Sequence, residues 1–203
     1  MKNKFIISML IPILILLGMT VKPVMALYNG QEVRLKTQPV DPSDIFRGDY
    51  VTLNYEINDV NLTQFPELNQ VKEDLWDYEK TRKYFNRKVY VTLKEEKGFF
   101  VVAGASFSPP AGNQLYLAGK IAYVFNKVPR DTGEVPREPV KEPPNKLEPA
   151  APDTVRVQYE LDKFFVPENT GTQLEELSRK GQLLARVKIY NGYGLLTKIE
   201  EAR

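Results

Sequence analysis

The sequence contains neither cysteine nor histidine. Without cysteine there is no disulfide framework and no thiol nucleophile. Without histidine the chain lacks the commonest general base and the commonest metal ligand. A Ser-His-Asp triad, a zincin site and a structural zinc site are therefore excluded, and any catalysis has to use Asp, Glu, Lys, Tyr or Ser. We expect no metal, no cofactor and no catalytic residues, and we favour a non-enzymatic role.

A clustered basic surface is also missing. The formal net charge is +2, but residues 1–26 carry Lys2, Lys4 and Lys22 and no acid, so the rest of the chain has a charge of −1. The remaining basic residues are mostly interleaved with acidic ones, as in residues 94–97. Nucleic-acid binding requires a basic face that neutralises phosphates. We therefore expect no nucleic-acid partner.

The N-terminus is a membrane-targeting segment. Residues 5–21 are an uncharged apolar run, which spans ~25 Å as a helix against a bilayer core of ~30 Å. Residues 1–26 are either a signal anchor, which we favour, or a signal peptide cleaved at Ala26, which would release a secreted protein. Lys2 and Lys4 predict a single-pass cell-membrane protein with its N-terminus inside and its domain outside the cytoplasm.

The rest of the chain predicts a mainly β fold of antiparallel strands and hairpins with one or two short helices, preceded by the N-terminal apolar membrane segment. The clearest alternation places Val51, Leu53, Tyr55 and Ile57 on one face of a strand. Further strands are predicted at 31–38, 88–93, 99–103, 115–125, 154–160 and 184–199, the last as a hairpin around Asn191-Gly192. A short helix is predicted within 66–87, with one apolar face formed by Leu68, Val71, Leu75, Trp76 and Tyr78. A second is predicted from 172 to 179 with Gly181 as its stop, and Gly119 is predicted as a bulge or bend in its strand.

A proline-rich segment divides the chain. Seven of the fifteen prolines lie in residues 127–153, and such a segment has too little apolar surface to offset its ordering entropy. We interpret it as an extended linker or long exposed loop. The predicted units are therefore the anchor or signal peptide 1–26, a β-rich region 27–126, the linker 127–153, and a C-terminal β-rich region 154–203 that packs with 27–126.

Two separated sequence blocks resemble a known family. Residues 48–55 read Gly-Asp-Tyr-Val-Thr-Leu-Asn-Tyr, which matches the signature that names the GDYXXLXY protein family. The resemblance continues upstream with residues 39–42 and Phe46-Arg47, and downstream with a second block that runs from Tyr159 through residues 164–168 to Gly171 and Glu175. It implies a bacterial membrane-associated protein of uncharacterised activity and supplies no catalytic residues. It also suggests a link with a multi-spanning membrane protein, because relatives tend to be encoded beside one.

The motif residues are candidates for either a structural or a binding role. They are Arg47, Gly48, Asp49, Tyr50, Leu53, Tyr55, Phe164, Phe165, Pro167, Glu168, Gly171 and Glu175. Gly48 permits a positive φ, and the Asp49 carboxylate can accept backbone N–H bonds in a turn. Tyr50 and Tyr55 fall on opposite strand faces, so we expect only one of these rings in the core. We favour the structural interpretation.

Two functions from different classes remain open. We favour a membrane-tethered extracytoplasmic β-domain that binds, or acts as an accessory partner of, an envelope or integral membrane protein. The alternative is an envelope hydrolase with a signal-peptidase-like β-domain, using a Ser/Lys pair or a carboxylate. For that alternative, Ser43 lies just ahead of the motif and Lys36 is the nearest lysine. A Ca²⁺ site at Asp41, Asp44 and Asp49 is less favoured than solvated turn acids.

Overall fold

The computed structural model describes residues 2–39, 50–125, 152–165, 176–177 and 180–201. At residues 2–8, 50–52, 76, 163 and 165 it describes the backbone alone. Most of the predicted linker 127–153, the motif residues before Tyr50 and the predicted capping box at 172–175 therefore lie outside the described residues.

A long apolar helix, α1, occupies Lys2–Asn29. Between Met9 and Asn29 its mean hydropathy reaches 2.1, and the helix is long and apolar enough to cross a membrane. The described side chains of α1 are exposed except Pro23, which is half-buried, and Ala26, which is buried. A signal sequence shares these properties, so the helix is compatible with either predicted form of the N-terminus.

The described residues contain eleven strands and two further short α-helices. The strands are β1 (Gln31–Gln38), β2 (Tyr50–Thr52), β3 (Asn54–Tyr55), β4 (Asp59–Asn61), β5 (Lys88–Glu96), β6 (Phe99–Ser106), β7 (Tyr116–Phe125), β8 (Thr154–Gln158), β9 (Lys163–Phe165), β10 (Leu183–Tyr190) and β11 (Tyr193–Glu201). The helices are α2 (Pro66–Asn69) and α3 (Tyr78–Arg82). All pairs between these strands are antiparallel. The predicted mainly β, antiparallel fold is confirmed.

One sheet has the strand order β11-β10-β1-β3. Alternation dictates β1, since Val33 and Leu35 are buried while the residues beside them are exposed. The predicted β10–β11 hairpin is confirmed. Asn191 and Gly192 have φ values of 49° and 79°, and two positive values are what a type I′ turn requires. Gly181, at φ 64°, ends the preceding helical turn as predicted.

A second sheet has the order β4-β8-β7-β5-β6. The predicted β5–β6 hairpin is confirmed. Gly119 is not a bulge, because the irregularity in the β7–β8 pairing falls between Ile121 and Tyr123. Gly119 instead lets β8 approach closely, since a Cβ there would lie 2.6 Å from Cγ1 of Val157. Glycine is therefore required at this position by close packing between strands, and not by a bulge.

The predicted strand at 51–57 is broken in two. Residues Tyr50–Thr52 pair with β9, whereas Asn54–Tyr55 pair with the end of β1. The chain then turns into a 3-10 helix at Glu56–Asn58, where Asn58 Oδ1 accepts the backbone N–H of Tyr55 at 2.6 Å. The predicted inward face holds for its described side chains, because Leu53, Tyr55 and Ile57 are all buried.

The region 66–87 is a chain of short helices instead of one amphipathic helix. Of the predicted apolar face, Leu68 and Leu75 are buried and Val71 is partly buried, but Tyr78 is 65% exposed. Asp77 explains the difference, because its carboxylate caps the start of α3 by accepting the N–H of Glu79 at 2.9 Å. Because a new helix begins at Tyr78, the 3.6-residue periodicity of the preceding segment does not continue through it, and Tyr78 faces away from the core.

Both sheets bury one continuous core. An ion pair between Arg156 of β8 and Asp59 of β4 lies at their junction, with side chains only 17% and 6% exposed. Gln38, at the end of β1, donates to the same Asp59 carboxylate at 3.1 Å. This polar group therefore ties the end of the first sheet to two strands of the second.

Candidate functional site

The end of the signature motif holds a turn between β8 and β9. Tyr55 is only 1% exposed, and its hydroxyl donates to the carbonyl oxygen of Leu161 at 2.7 Å. Two residues earlier, the backbone N–H of Leu53 donates to the carbonyl oxygen of Asp162 at 2.8 Å. Both hydrogen bonds hold the segment from Tyr159 to Asp162 in place, and we call this segment the 159–162 turn.

A second tyrosine makes the same type of contact in the opposite direction, from the turn to the motif segment. The Tyr159 hydroxyl donates to the carbonyl oxygen of Ile57 at 2.9 Å, and the residue is 3% exposed. Burial raises the pKa of both phenols well above their ordinary value, and nearby Asp162 and Asp59 raise the pKa of Tyr55 and Tyr159 respectively. Both hydroxyls therefore stay protonated as donors. The two tyrosines link the motif segment and the 159–162 turn by hydrogen bonds in both directions, an arrangement that we call the cross-brace.

The two blocks of the resemblance meet in space. In the β2–β9 ribbon Tyr50 pairs with Phe165 and Val51 with Phe164, although the strands are more than a hundred residues apart in sequence. Phe164 is half-buried and packs against the core, whereas the side chains of Tyr50 and Phe165 lie outside the described part. Sequence reasoning singled out both blocks without predicting that they pair.

The other predicted site residues lie outside the described part of the chain. They are Arg47, Gly48, Asp49, Pro167, Glu168, Gly171 and Glu175, together with Ser43, Asp41 and Asp44. Their roles stay predictions. The lysine considered for a Ser/Lys pair, Lys36, has its ammonium 4.8 Å from the centre of the Phe99 ring.

A cleft of about 620 Å³ opens on the far side of the 159–162 turn. Four parts of the fold form its walls: the end of α1, the β7 strand with the start of β5, the 159–162 turn, and the β10–β11 hairpin tip. The tip is held against β7 by the N–H of Ala118, which donates to the Gly192 carbonyl at 2.9 Å. Among the described residues, the charged ones in the lining are Lys22, Lys88, Lys120, Glu160 and Asp162. The described motif residues support the cleft from behind without lining it.

The charges of the cleft have both signs and do not neutralise each other. Within the described residues, none of these three lysines and two carboxylates forms an ion pair, although ion pairs form elsewhere on the domain. The Lys88 ammonium is placed 5.0 Å from the centre of the Tyr90 ring. Lys22, Lys120 and Glu160 are exposed, and Asp162 is half-buried. The cleft can therefore offer cations to an anionic group and carboxylates to a cationic one.

The helix wall of the cleft is attached firmly to the β-domain. Ala26 is fully buried, the N–H of Gly30 donates to its carbonyl at 2.9 Å, and the Lys188 ammonium donates to the carbonyl of Leu27. Gly30 is the single residue between α1 and β1, and a Cβ there would collide with the Ala26 carbonyl. Only glycine allows so tight a junction, which fixes the cleft relative to α1.

A family model described as GDYXXLXY protein matches residues 12–199. The chain belongs to the GDYXXLXY family. No curated protein and no solved structure matches the chain. The family match runs from within α1 to near the end of β11, so every described residue that lines the cleft falls inside it. In this member of the family, the Leu53 and Tyr55 positions of the signature are buried supports of the 159–162 turn.

Sequence reasoning did not find the cleft. Its charged residues come from α1, from the strand pair β5–β7 and from the 159–162 turn, and no spacing in the sequence relates these segments to one another. The one available signal was the pair Tyr190 and Tyr193, which flanks the Asn191-Gly192 turn and places two aromatic rings at a hairpin tip. That signal gives no indication of what the tip faces.

Proposed function

We propose that this GDYXXLXY protein is a membrane-tethered domain outside the cytoplasm that acts by binding, with the cleft beside α1 as its binding site. It would serve as an accessory to an envelope or integral membrane component. The observation that carries the proposal is that one wall of the cleft is the end of the apolar helix itself. A ligand in this cleft touches both the tether and the domain.

The junction after α1 supports a retained anchor over a cleaved signal peptide. The helix continues through Pro23 to Asn29. Ala26, the residue before the candidate cleavage point, is buried against the domain. Cleavage after Ala26 would remove this buried residue and the carbonyl that accepts the Gly30 N–H, so the folded junction is complete only in an uncleaved chain.

The length of α1 supports a position for the cleft at the surface of the membrane that faces away from the cytoplasm. A bilayer core is crossed by about 20 helical residues, so a span that begins at Phe5 ends near Val24. Lys22 then lies where its ammonium can snorkel to the surface. Tyr28, with 80% of its surface exposed, falls at the interface where tyrosine is enriched.

The lining of the cleft supports binding over hydrolysis by a Ser/Lys pair. Among the described lining residues there is no serine or threonine that could act as a nucleophile. The polar groups present are lysines, carboxylates, amides and tyrosines. These groups suit recognition of a charged ligand through salt bridges and hydrogen bonds.

Site-specific photocrosslinking tests the proposal in native membranes. A photoreactive amino acid replaces Gln158, an exposed strand residue of the cleft lining, in the full-length chain. The control places it at Lys94, an exposed strand residue that lies about 20 Å along β5 from Lys88. We expect one discrete adduct from position 158 and none from position 94. The mass of the adduct distinguishes a lipid from a protein.

Two results would contradict the proposal. One is the absence of a cleft adduct at normal protein abundance, and the other is the same adduct pattern from both positions.

The orientation of the protein in the membrane is checked separately by an alkaline-phosphatase fusion after Arg203. Phosphatase activity supports a domain outside the cytoplasm, and an inactive fusion at normal abundance contradicts it.

A further inference from the structure

We propose that the cleft binds the headgroup of a phospholipid that carries a primary ammonium group, as phosphatidylethanolamine does. This inference rests on the proposed function and names the ligand of the same site. It combines two independent features of the cleft, which are its apolar helix wall and its unpaired charges of both signs.

The helix wall suits the tail side of a lipid. Val21 and Met25 line the cleft from α1, with 51% and 43% of their surfaces exposed. They lie one helical turn apart on one face of α1, which continues as the apolar span. An acyl chain that follows α1 would cover these side chains, whereas a polar protein loop would leave them facing polar groups.

The charges suit a zwitterionic headgroup. Lys22, Lys88 and Lys120 can pair with a phosphate, which lysine binds as a point charge. Glu160 and Asp162 can accept hydrogen bonds from an ammonium group, which carries three donors. Because neither set forms an ion pair with described residues, both are available to a ligand.

The same charges predict a choice between headgroups. Phosphatidylglycerol offers the phosphate but no cation for the carboxylates. Phosphatidylcholine has a cation without an N–H, so it cannot donate to Glu160 or Asp162. The cleft volume of about 620 Å³ lies within the usual range of small-ligand sites, ~300–1,000 Å³, and so has room for a headgroup and its glycerol.

Lipid retention measures this choice directly. The full-length protein is reconstituted in nanodiscs with equal amounts of the three phospholipids. Native mass spectrometry then identifies the lipids that stay bound to the protein after it is released from the nanodisc. We expect retention of phosphatidylethanolamine above both others. The double variant Glu160→Gln/Asp162→Asn should lower its preference over phosphatidylglycerol about fivefold, the factor that ~1 kcal/mol of ion pairing gives.

Two further variants complete the test. Lys120→Gln should lower the retention of all three lipids, because each has a phosphate. Glu96→Gln, an acid-to-amide control at the far end of β5, should match the wild type. If the double variant does not fold, the single variant at the exposed Glu160 replaces it, with a smaller loss expected.

The outcomes separate this inference from the proposed function. An unchanged lipid preference in the carboxylate variants would overturn the lipid inference. If a protein adduct then forms at position 158, the cleft binds a protein segment and the proposed function stands. If neither a lipid nor a protein is captured there, both proposals fail.

Discussion

The two sides of the 159–162 turn have opposite character. On the motif side, Tyr55 and Leu53 are buried, and the bonds to Leu161 and Asp162 satisfy their polar groups. On the cleft side, Glu160 and Asp162 line an open site without ion-pair partners among the described residues. Satisfied buried groups stabilise a fold, whereas unpaired charges at a cleft are available for binding. The comparison predicts that the motif side controls stability and the cleft side controls binding.

The largest expected effect is on the motif side. Leu53→Ala should lower the free energy of unfolding by ~2–5 kcal/mol, because it removes a fully buried side chain and leaves a cavity. Denaturant unfolding followed by the fluorescence of the single tryptophan measures it. A loss below ~1 kcal/mol would show that this part of the motif is not a fold determinant.

Tyr55→Phe removes one hydroxyl and keeps the ring. The carbonyl of Leu161 then loses its buried donor, which should cost ~1–3 kcal/mol of unfolding free energy. Tyr123→Phe is the matched control, because Tyr123 is 49% exposed and should change stability by less than ~0.5 kcal/mol. Equal effects of the two substitutions would contradict the cross-brace.

Alkaline pH should weaken the same brace. In the unfolded chain a tyrosine ionises near pH ~10, whereas burial raises the pKa of Tyr55 and Tyr159 in the folded state. The unfolded state therefore loses protons that the folded state keeps, so stability is complete below pH ~10 and falls above it, by up to ~1.4 kcal/mol per pH unit for each tyrosine. Denaturant unfolding at several alkaline pH values should show a shallower decline in Tyr55→Phe, and an unchanged decline would count against this origin.

The smallest expected effect on stability is on the cleft side. Glu160→Gln removes an exposed charge without an ion-pair partner among the described residues, so the unfolding free energy should change by less than ~0.5 kcal/mol. Thermal and denaturant unfolding both check this expectation. A loss of more than ~1 kcal/mol would mean that Glu160 supports the fold.

Local patterns in the sequence predicted the local parts of the fold. Alternation identified β1, and the Asn191-Gly192 pair identified the β10–β11 hairpin, because both depend on neighbouring residues. The break in the strand at 51–57 could not be predicted, since it depends on a bond from Leu53 to Asp162 across a long sequence separation. Gly119 shows the same limit, because its reason lies on the adjacent strand.

The candidate site was only partly accessible to sequence reasoning. The signature drew attention to Leu53 and Tyr55, which support the cleft from behind. The charges that line the cleft come from separate segments, and no short spacing in the sequence brings Lys22, Lys120 and Glu160 together. Their proximity is a product of the tertiary fold.

The most direct test of the comparison measures stability and cleft crosslinking on the same two full-length variants. Tyr55→Phe should lose ~1–3 kcal/mol of unfolding free energy and keep its crosslinking yield per folded molecule from position 158. Glu160→Gln should keep its stability and lose crosslinking yield. The reverse pattern, with binding lost in folded Tyr55→Phe and stability lost in Glu160→Gln, would contradict the account.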